Sequence, residues 1–231
     1  MFLYSKFRQY QHPSMTLLSV HLITYNNQQH IADTLQSILK QEVDFHYEIV
    51  VGDDNSTDNT LKIINKYAAK HPNLFKIHKN DTQQGILKNY KATLDRCIGT
   101  FVFDIAGDDM LKTNNALQEM VNVLNNNTGL GFVDSGFDSF YEDSNKTISF
   151  KNKSKINSPK NTYKETLLLG EIAPIGQCYR KEQLYRFVDF NTYINMNLTI
   201  EDYPILVDMV MNTDFERINE SLVVYRIHDK S

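Results

Sequence analysis

Leu17 to Thr24 (LLSVHLIT) is a mostly apolar run rich in β-branched residues, which suits a strand covered on both faces. From Gln28 to Gln41 the apolar period changes. Ile31, Leu35, Ile38 and Leu39 make one stripe on a polar segment, which predicts an amphipathic helix. Tyr47 to Gly52 reads as a second strand, and Leu61, Ile64 and Ala68 mark a helix that Ser56 and Asp58 are placed to cap. Phe75 to Lys79 is a short third strand and Gly85 to Arg96 a third helix. Thr100 to Ile105 (TFVFDI) is a fourth strand that runs into Gly107-Asp108-Asp109. Strands interleaved with helices of this length imply βαβ units and a parallel sheet. Ligands of such sheets bind beyond the carboxyl ends of the strands. Three polar clusters fall there: Thr24-Tyr25-Asn26, Asp53-Asp54 and Asp108-Asp109.

The second half is less regular. Asn115 to Leu124 predicts a helix, Leu130 to Tyr141 a strand-rich, glycine-punctuated stretch, and Glu142 to Lys164, dominated by Lys, Asn and Ser, an exposed loop. A helix is expected from Lys164 to Leu169, another from Glu201 to Asn212, and a last strand at Leu222 to Arg226. The expected organisation is an extension at 1–15, with Met15 an alternative start, and one domain at 16–231.

Composition narrows the function classes. With 231 residues, 41% of them hydrophobic, the chain can bury one substantial core. A net charge of -4 argues against nucleic-acid binding through a general basic field, but not against a nucleotide ligand. Cys97 and Cys178 are too few for a disulfide framework, which points to a reducing compartment. No apolar run approaches the ~18 residues of a membrane span, and residues 1–15 lack the apolar core and cleavage site of a signal peptide. A cytoplasmic location is expected, with peripheral contact at the inner face of the membrane left open.

Three constellations could carry chemistry. Gly52 to Thr60 (GDDNSTDNT) sits between a strand and a helix, where a strand-end carboxylate can accept a hydrogen bond from a nucleobase N–H; a capping loop without ligand is the alternative. Asp54, Ser56 and Asp58 also fit alternate calcium positions, but Asn59 and Asn65 stand where such a loop needs glycine and a bidentate Glu. At Gly107-Asp108-Asp109, paired carboxylates after a buried strand suit Mg²⁺ or Mn²⁺ against the charge of a leaving diphosphate; an acidic surface turn is the alternative. At Glu201-Asp202, a carboxylate can take the proton of an attacking hydroxyl, or simply cap a helix. His228 is either an exposed side chain or, with a metal nearby, a further ligand.

Taken in order, these pieces resemble the family 2 glycosyltransferases over nearly the whole chain, Ser19 to His228. The resemblance rests on Ser19-Val20 to Thr24-Tyr25-Asn26, Asp53 to Thr60, Gly85 to Asn89, Gly99 to Asp109, Glu201-Asp202 and Tyr225-Arg226-Ile227-His228. It implies the GT-A fold: a Rossmann-like α/β architecture whose mostly parallel central sheet is flanked by helices, with a smaller acceptor-side region. Residues 16–110 would then be the nucleotide-sugar-binding half and 111–231 the acceptor-side half. The implied reaction is a metal-dependent, inverting transfer from a nucleotide-diphosphate sugar, UDP before other nucleotides, to a hydroxyl of a saccharide or glycolipid acceptor. Synthesis of cell-surface polysaccharide or glycoconjugate is the implied setting.

Carried over by position, Thr24, Tyr25 and Asn26 line the nucleoside pocket; Asp54, with Asp53, reads the base; Lys88 and Asn89 lie near the nucleotide. Asp108 and Asp109 match the metal-binding Asp-x-Asp site, with Asp109 the direct ligand of Mn²⁺ or Mg²⁺ and Asp108 on the nucleotide sugar. Asp202 is the catalytic base and His228 completes the metal shell. Two positions depart from the pattern: Gly107 replaces the first Asp, and Ile23 stands where proline is common. A sugar nucleotidyltransferase competes, but Thr24 to His30 lacks its glycine- and Arg/Lys-rich phosphate loop. The intact set Asp54, Asp109 and Asp202 argues against an inactive binding domain, and no glycine-rich fingerprint supports a dinucleotide oxidoreductase.

Overall fold

The computed structural model describes residues 16–150 and 174–229. Strand β1 (Leu18–Thr24) pairs in parallel with β2 (Tyr47–Asp53) on one side and β4 (Phe101–Ala106) on the other, and β2 carries β3 (Phe75–Lys79). Helices α1 (Ile31–Leu39), α2 (Thr60–Ala68) and α3 (Ile86–Leu94) make the crossovers, as the alternation of apolar periods requires.

Past β4 the strand direction changes. β8 (Gln177–Arg180) runs antiparallel to β4, and β6 (Leu130–Tyr141) antiparallel to β8. β9 (Asp214–Ile227) is parallel to β6, and the two-residue β5 (Met110–Leu111) pairs with its far edge. β7 (Lys146–Phe150) folds back on β6 as a hairpin. The order is β3-β2-β1-β4-β8-β6-β9-β5, with β7 on β6.

Two cores sandwich the sheet. On one face Leu18, Val20, Leu22, Phe101 and Phe103 pack against α1 and against α4 (Ala116–Asn126). On the other, Val50, Val102, Phe132 and Tyr179 meet α3, α5 (Lys181–Phe187) and α7 (Asp202–Asn212), with Phe190 of α6 (Phe190–Asn195). Truncating a fully buried leucine such as Leu35 to alanine should cost about 2–5 kcal/mol. The second face is not uniformly apolar: between the packed residues β1 carries Ser19 and His21, and β4 carries Asp104 opposite His21.

The structure departs from the sequence reading in the second half. The polar stretch that begins at Glu142 turns at once and continues as strand β7, whose Thr147, Ile148 and Ser149 alternate against β6. The lysine- and asparagine-rich composition masks that two-residue period. β9 starts eight residues before Leu222, because it follows β6 through register shifts around Gly136. The helix expected at Lys164–Leu169 and the extension at 1–15 lie outside the described residues.

Candidate active site

The carboxyl ends of β1, β2 and β4 open into a cavity of about 570 Å³ lined by Thr24, Tyr25, Asn26, Asp54, Asn89 and Asp108, among others. Its walls are loops fastened to one another. Asn26 adopts a left-handed conformation (φ 55°), which asparagine tolerates, and its Oδ1 accepts the Thr57 N–H at 2.9 Å while its own N–H donates to Ser56 Oγ at 2.9 Å. Gln28 N–H donates to Asp58 at 3.1 Å, and Asp58 also accepts from the N–H of Thr60, the first residue of α2, so one carboxylate joins both loops; the N-cap position itself is Asn59, not the expected Ser56 or Asp58. Asp53 is fully buried and bonded to the Ser56 N–H and hydroxyl. Asp54 faces the cavity, where it accepts from Asn80 Nδ2 (2.9 Å), Gln84 N (2.7 Å) and Gly85 N (2.9 Å). Asn89 spends its amide on Gly52 O and Asn80, both at 3.0 Å. Tyr25, 41% exposed, presents its ring at the rim.

Gly107 makes the turn after β4 possible. A Cβ there would stand 2.4 Å from Thr24 Oγ1, so the two strand ends can approach only without a side chain. That contact explains why no aspartate occupies the position. Asp108 and Asp109 then point different ways. Asp108 lines the cavity with its Oδ2 3.1 Å from His228 Nε2. Asp109 turns inward, 7% exposed, and accepts the Arg226 N–H at 3.0 Å, which ties the turn to β9. Burial, then the neighbouring Asp108 charge, push its carboxyl up to about 8. The Arg226 guanidinium is itself bonded to Asp108 O, Asp33 and Glu142, and His228 stacks on His30 with ring centroids 4.5 Å apart.

A second cavity, about 400 Å³, adjoins the first and shares Ile23, Ile86, Ala106, Asp108 and Glu201 with it. Asp202, the first residue of α7, lines only this one. Burial raises its carboxyl above the ordinary aspartate range, and burial followed by the Asp202 charge pushes Glu201 up to about 8. His21, Tyr90 and Asp104 line the same cavity.

Thr24, Tyr25, Asn26, Asp54, Asn89, Asp108 and His228 are thus brought to one cavity, and Asp109 and Asp202 to its neighbour. Asp53 lies beneath the loop it braces. Lys88 is exposed on α3 and lines a neighbouring groove, with Leu87, Ile194 and Asn197, that shares Gly85 and Ile86 with the larger cavity. Sequence reasoning missed the structural role of Arg226 and the His21–Tyr90–Asp104 group. The signal for the latter was present, since a histidine and an aspartate within strands buried on both faces must find partners.

The family model described as Glycosyl transferase family 2 matches residues 19–187. An uncharacterized protein of Mycobacterium tuberculosis is 25% identical over 211 residues, 91% of this chain and 59% of its own length. The poly(ribitol-phosphate) beta-N-acetylglucosaminyltransferase TarS of Staphylococcus aureus is 34% identical over 99 residues, 42% of this chain and 17% of its own. Among solved structures, TarS 1–349 in complex with UDP-GlcNAc superposes with a TM-score of 0.70 at 18% identity, covering 93% of this chain and 59% of that one. The mannosyltransferase PcManGT from Pyrobaculum calidifontis, in complex with GDP-Man and Mn2+, gives 0.65 at 19% identity, covering 93% and 58%. The chain therefore spans 59% of the length of the mycobacterial relative and of TarS 1–349. The α/β architecture read from the sequence is the GT-A fold of these neighbours, and with the family match over residues 19–187 the chain belongs to glycosyl transferase family 2.

Proposed function

We propose that this chain transfers a glycosyl group from a nucleoside diphosphate sugar to an acceptor hydroxyl with inversion, the donor in the larger cavity and the acceptor in the smaller. The observation that carries the reading is the junction of the two cavities, where Asp108 faces the first and Asp202 the second across a shared wall. Tyr25 offers an aromatic surface to the base, and Asp54, its orientation fixed by three donors, offers a carboxylate to a base N–H. UDP is the proposed nucleotide, since TarS is seen with UDP-GlcNAc; GDP-Man in the mannosyltransferase marks the alternative.

Asp108 Oδ2 and His228 Nε2 suit a divalent cation, Mn²⁺ or Mg²⁺: one hard oxygen and one imidazole nitrogen, 3.1 Å apart on the wall of the donor cavity. No group of three or more His, Cys, Asp or Glu that could hold a metal occurs among the described residues. The protein then offers two ligands, which fits a cation that shares its shell with phosphate oxygens and water. When bound, such an ion neutralises charge on the departing diphosphate. This reading gives the direct contact to Asp108 and leaves Asp109 to hold the turn on β9.

Asp202 takes the proton of the acceptor hydroxyl as its oxygen bonds to the anomeric carbon. The bond from that carbon to the diphosphate breaks on the opposite side, and its electron pair leaves with the phosphate oxygen. Raising the carboxyl of Asp202 by burial suits it to this proton transfer. Saccharides and glycolipids of the cell surface are the proposed acceptors. No helix among the described residues is long and apolar enough to cross a membrane. The test pairs thermal-shift screening of UDP- and GDP-sugars, with and without Mn²⁺, with the variant Asp202→Asn. That variant should keep nucleotide binding and lose transfer by about 10²- to 10⁴-fold; transfer near the wild-type rate would remove Asp202 from the mechanism.

A further inference from the structure

Positions 21 and 104 face each other across the parallel pair β1–β4, and both carry ionisable side chains. His21 is fully buried, with Nδ1 2.9 Å from Asp104 Oδ1 and Nε2 3.0 Å from the Tyr90 carbonyl oxygen. The Tyr90 hydroxyl donates to Asp104 Oδ2 at 2.5 Å. The Tyr90 and His21 rings also meet edge-on, centroids 4.5 Å apart. A pair of aliphatic side chains would fill these strand positions without removing polar groups from water, so the arrangement is costly as mere packing. Nor is the carboxylate sealed in. The Asp104 side chain keeps 26% of its surface, and that surface opens on the smaller cavity beside Glu201 and Asp202.

We infer that Asp104 is a substrate-binding residue that accepts a hydrogen bond from a second hydroxyl of the acceptor sugar and so decides which hydroxyl is presented to Asp202. The inference rests on the reading of the smaller cavity as the acceptor site. Each oxygen of Asp104 already takes one hydrogen bond from the protein, which fixes the plane of the carboxylate and leaves outward lone pairs for a ligand. It can hold a hydroxyl, while Asp202, on a different element, removes a proton from another. His21 and Tyr90 are positioning residues that act through Asp104. The occupant must offer donors to Asp104 and Asp202, both in the lining of this cavity, and a sugar with several free hydroxyls does so.

Methyl glycosides of glucose, galactose, mannose, N-acetylglucosamine and N-acetylgalactosamine serve as acceptor probes with UDP- and GDP-sugar donors, read by nucleotide release. For a glycoside that the wild type uses, its monodeoxy analogues are compared in wild type and Asp104→Asn. The variant should lower acceptor kcat/KM by about 10- to 100-fold, chiefly through KM. One monodeoxy analogue should lose as much with the wild type and nothing further with the variant; that coupling identifies the hydroxyl bound. Losses that multiply at every position overturn the assignment. Calorimetric UDP binding checks that each variant is folded. If Asp104→Asn fails that check, the same cycle on Tyr90→Phe decides, with a broadened mixture of linkages in the product NMR expected and an unchanged linkage with multiplying losses overturning it. Absence of wild-type transfer to every probe would instead strike the acceptor-site reading itself and the inference with it.

Discussion

The end of β2 and the turn after β4 each carry two consecutive aspartates, and in each pair one is buried and the other faces the cavity. In Asp53–Asp54 the first residue is buried and holds its own loop through Ser56, while the second faces the cavity. In Asp108–Asp109 the order is reversed: the first faces the cavity with His228, and the second is buried against β9. A further difference lies in what meets the outward carboxylate. Asp54 accepts from an amide and two backbone N–H groups, which makes it a rigid acceptor with one lone-pair site left; Asp108 has one imidazole partner across 3.1 Å. A doublet of acids is therefore not one functional unit. One member builds the frame and the other uses it.

Substitutions break this comparison in order of expected effect. Asp108→Ala should lower transfer by about 10²- to 10³-fold in steady-state assays, with Mn²⁺ titration showing weakened metal dependence, yet leave the melting temperature nearly unchanged. Asp53→Ala should do the opposite. It orphans the Ser56 N–H in a buried loop at a cost of roughly 2 kcal/mol, read as a Tm lower by about 4–8 °C. Asp54→Asn sets an amide N–H against backbone donors and should weaken UDP binding about tenfold by calorimetry.

The effect at Asp109 depends on pH. Its folded-state carboxyl sits at about 8, above the unfolded value, so its contribution to stability is complete below the ordinary aspartate range and is lost as pH rises through 8. Without added metal, wild-type Tm should fall more steeply with rising pH than that of Asp109→Asn between about pH 5 and pH 9. Parallel curves would mean that Asp109 is not held protonated by burial.

The first half of the fold was legible because its strands are buried on both faces and its helices on one, so period and burial coincide. Ile31, Leu35 and Ile38 are all fully buried, as their spacing requires. The polar clusters at strand ends located the larger cavity by the same logic. The second half hid its strands in composition: Lys146 to Phe150 reads as polar chain until Tyr141 and Phe140 are set opposite it. Direction of side chains was not legible either. Nothing in Gly107-Asp108-Asp109 says which carboxylate turns outward; the Arg226 N–H, 117 residues away, settles it. Lys88 and Asn89 show the same limit, since these neighbours on α3 line different hollows, Asn89 the larger cavity and Lys88 the groove beside it.

Strand β9 is threaded between β5 and β6, both of which are synthesised more than 70 residues earlier. Until residues 214–227 emerge from the ribosome, those two strands have open edges on the sides that will face each other. Insertion of a late strand between two earlier ones is a non-local event, so it should be the slow step of folding. An unfinished nascent chain holds Asp108 and Asp109 but neither His228 nor Arg226, so the turn after β4 gains its partners only once the sheet has closed.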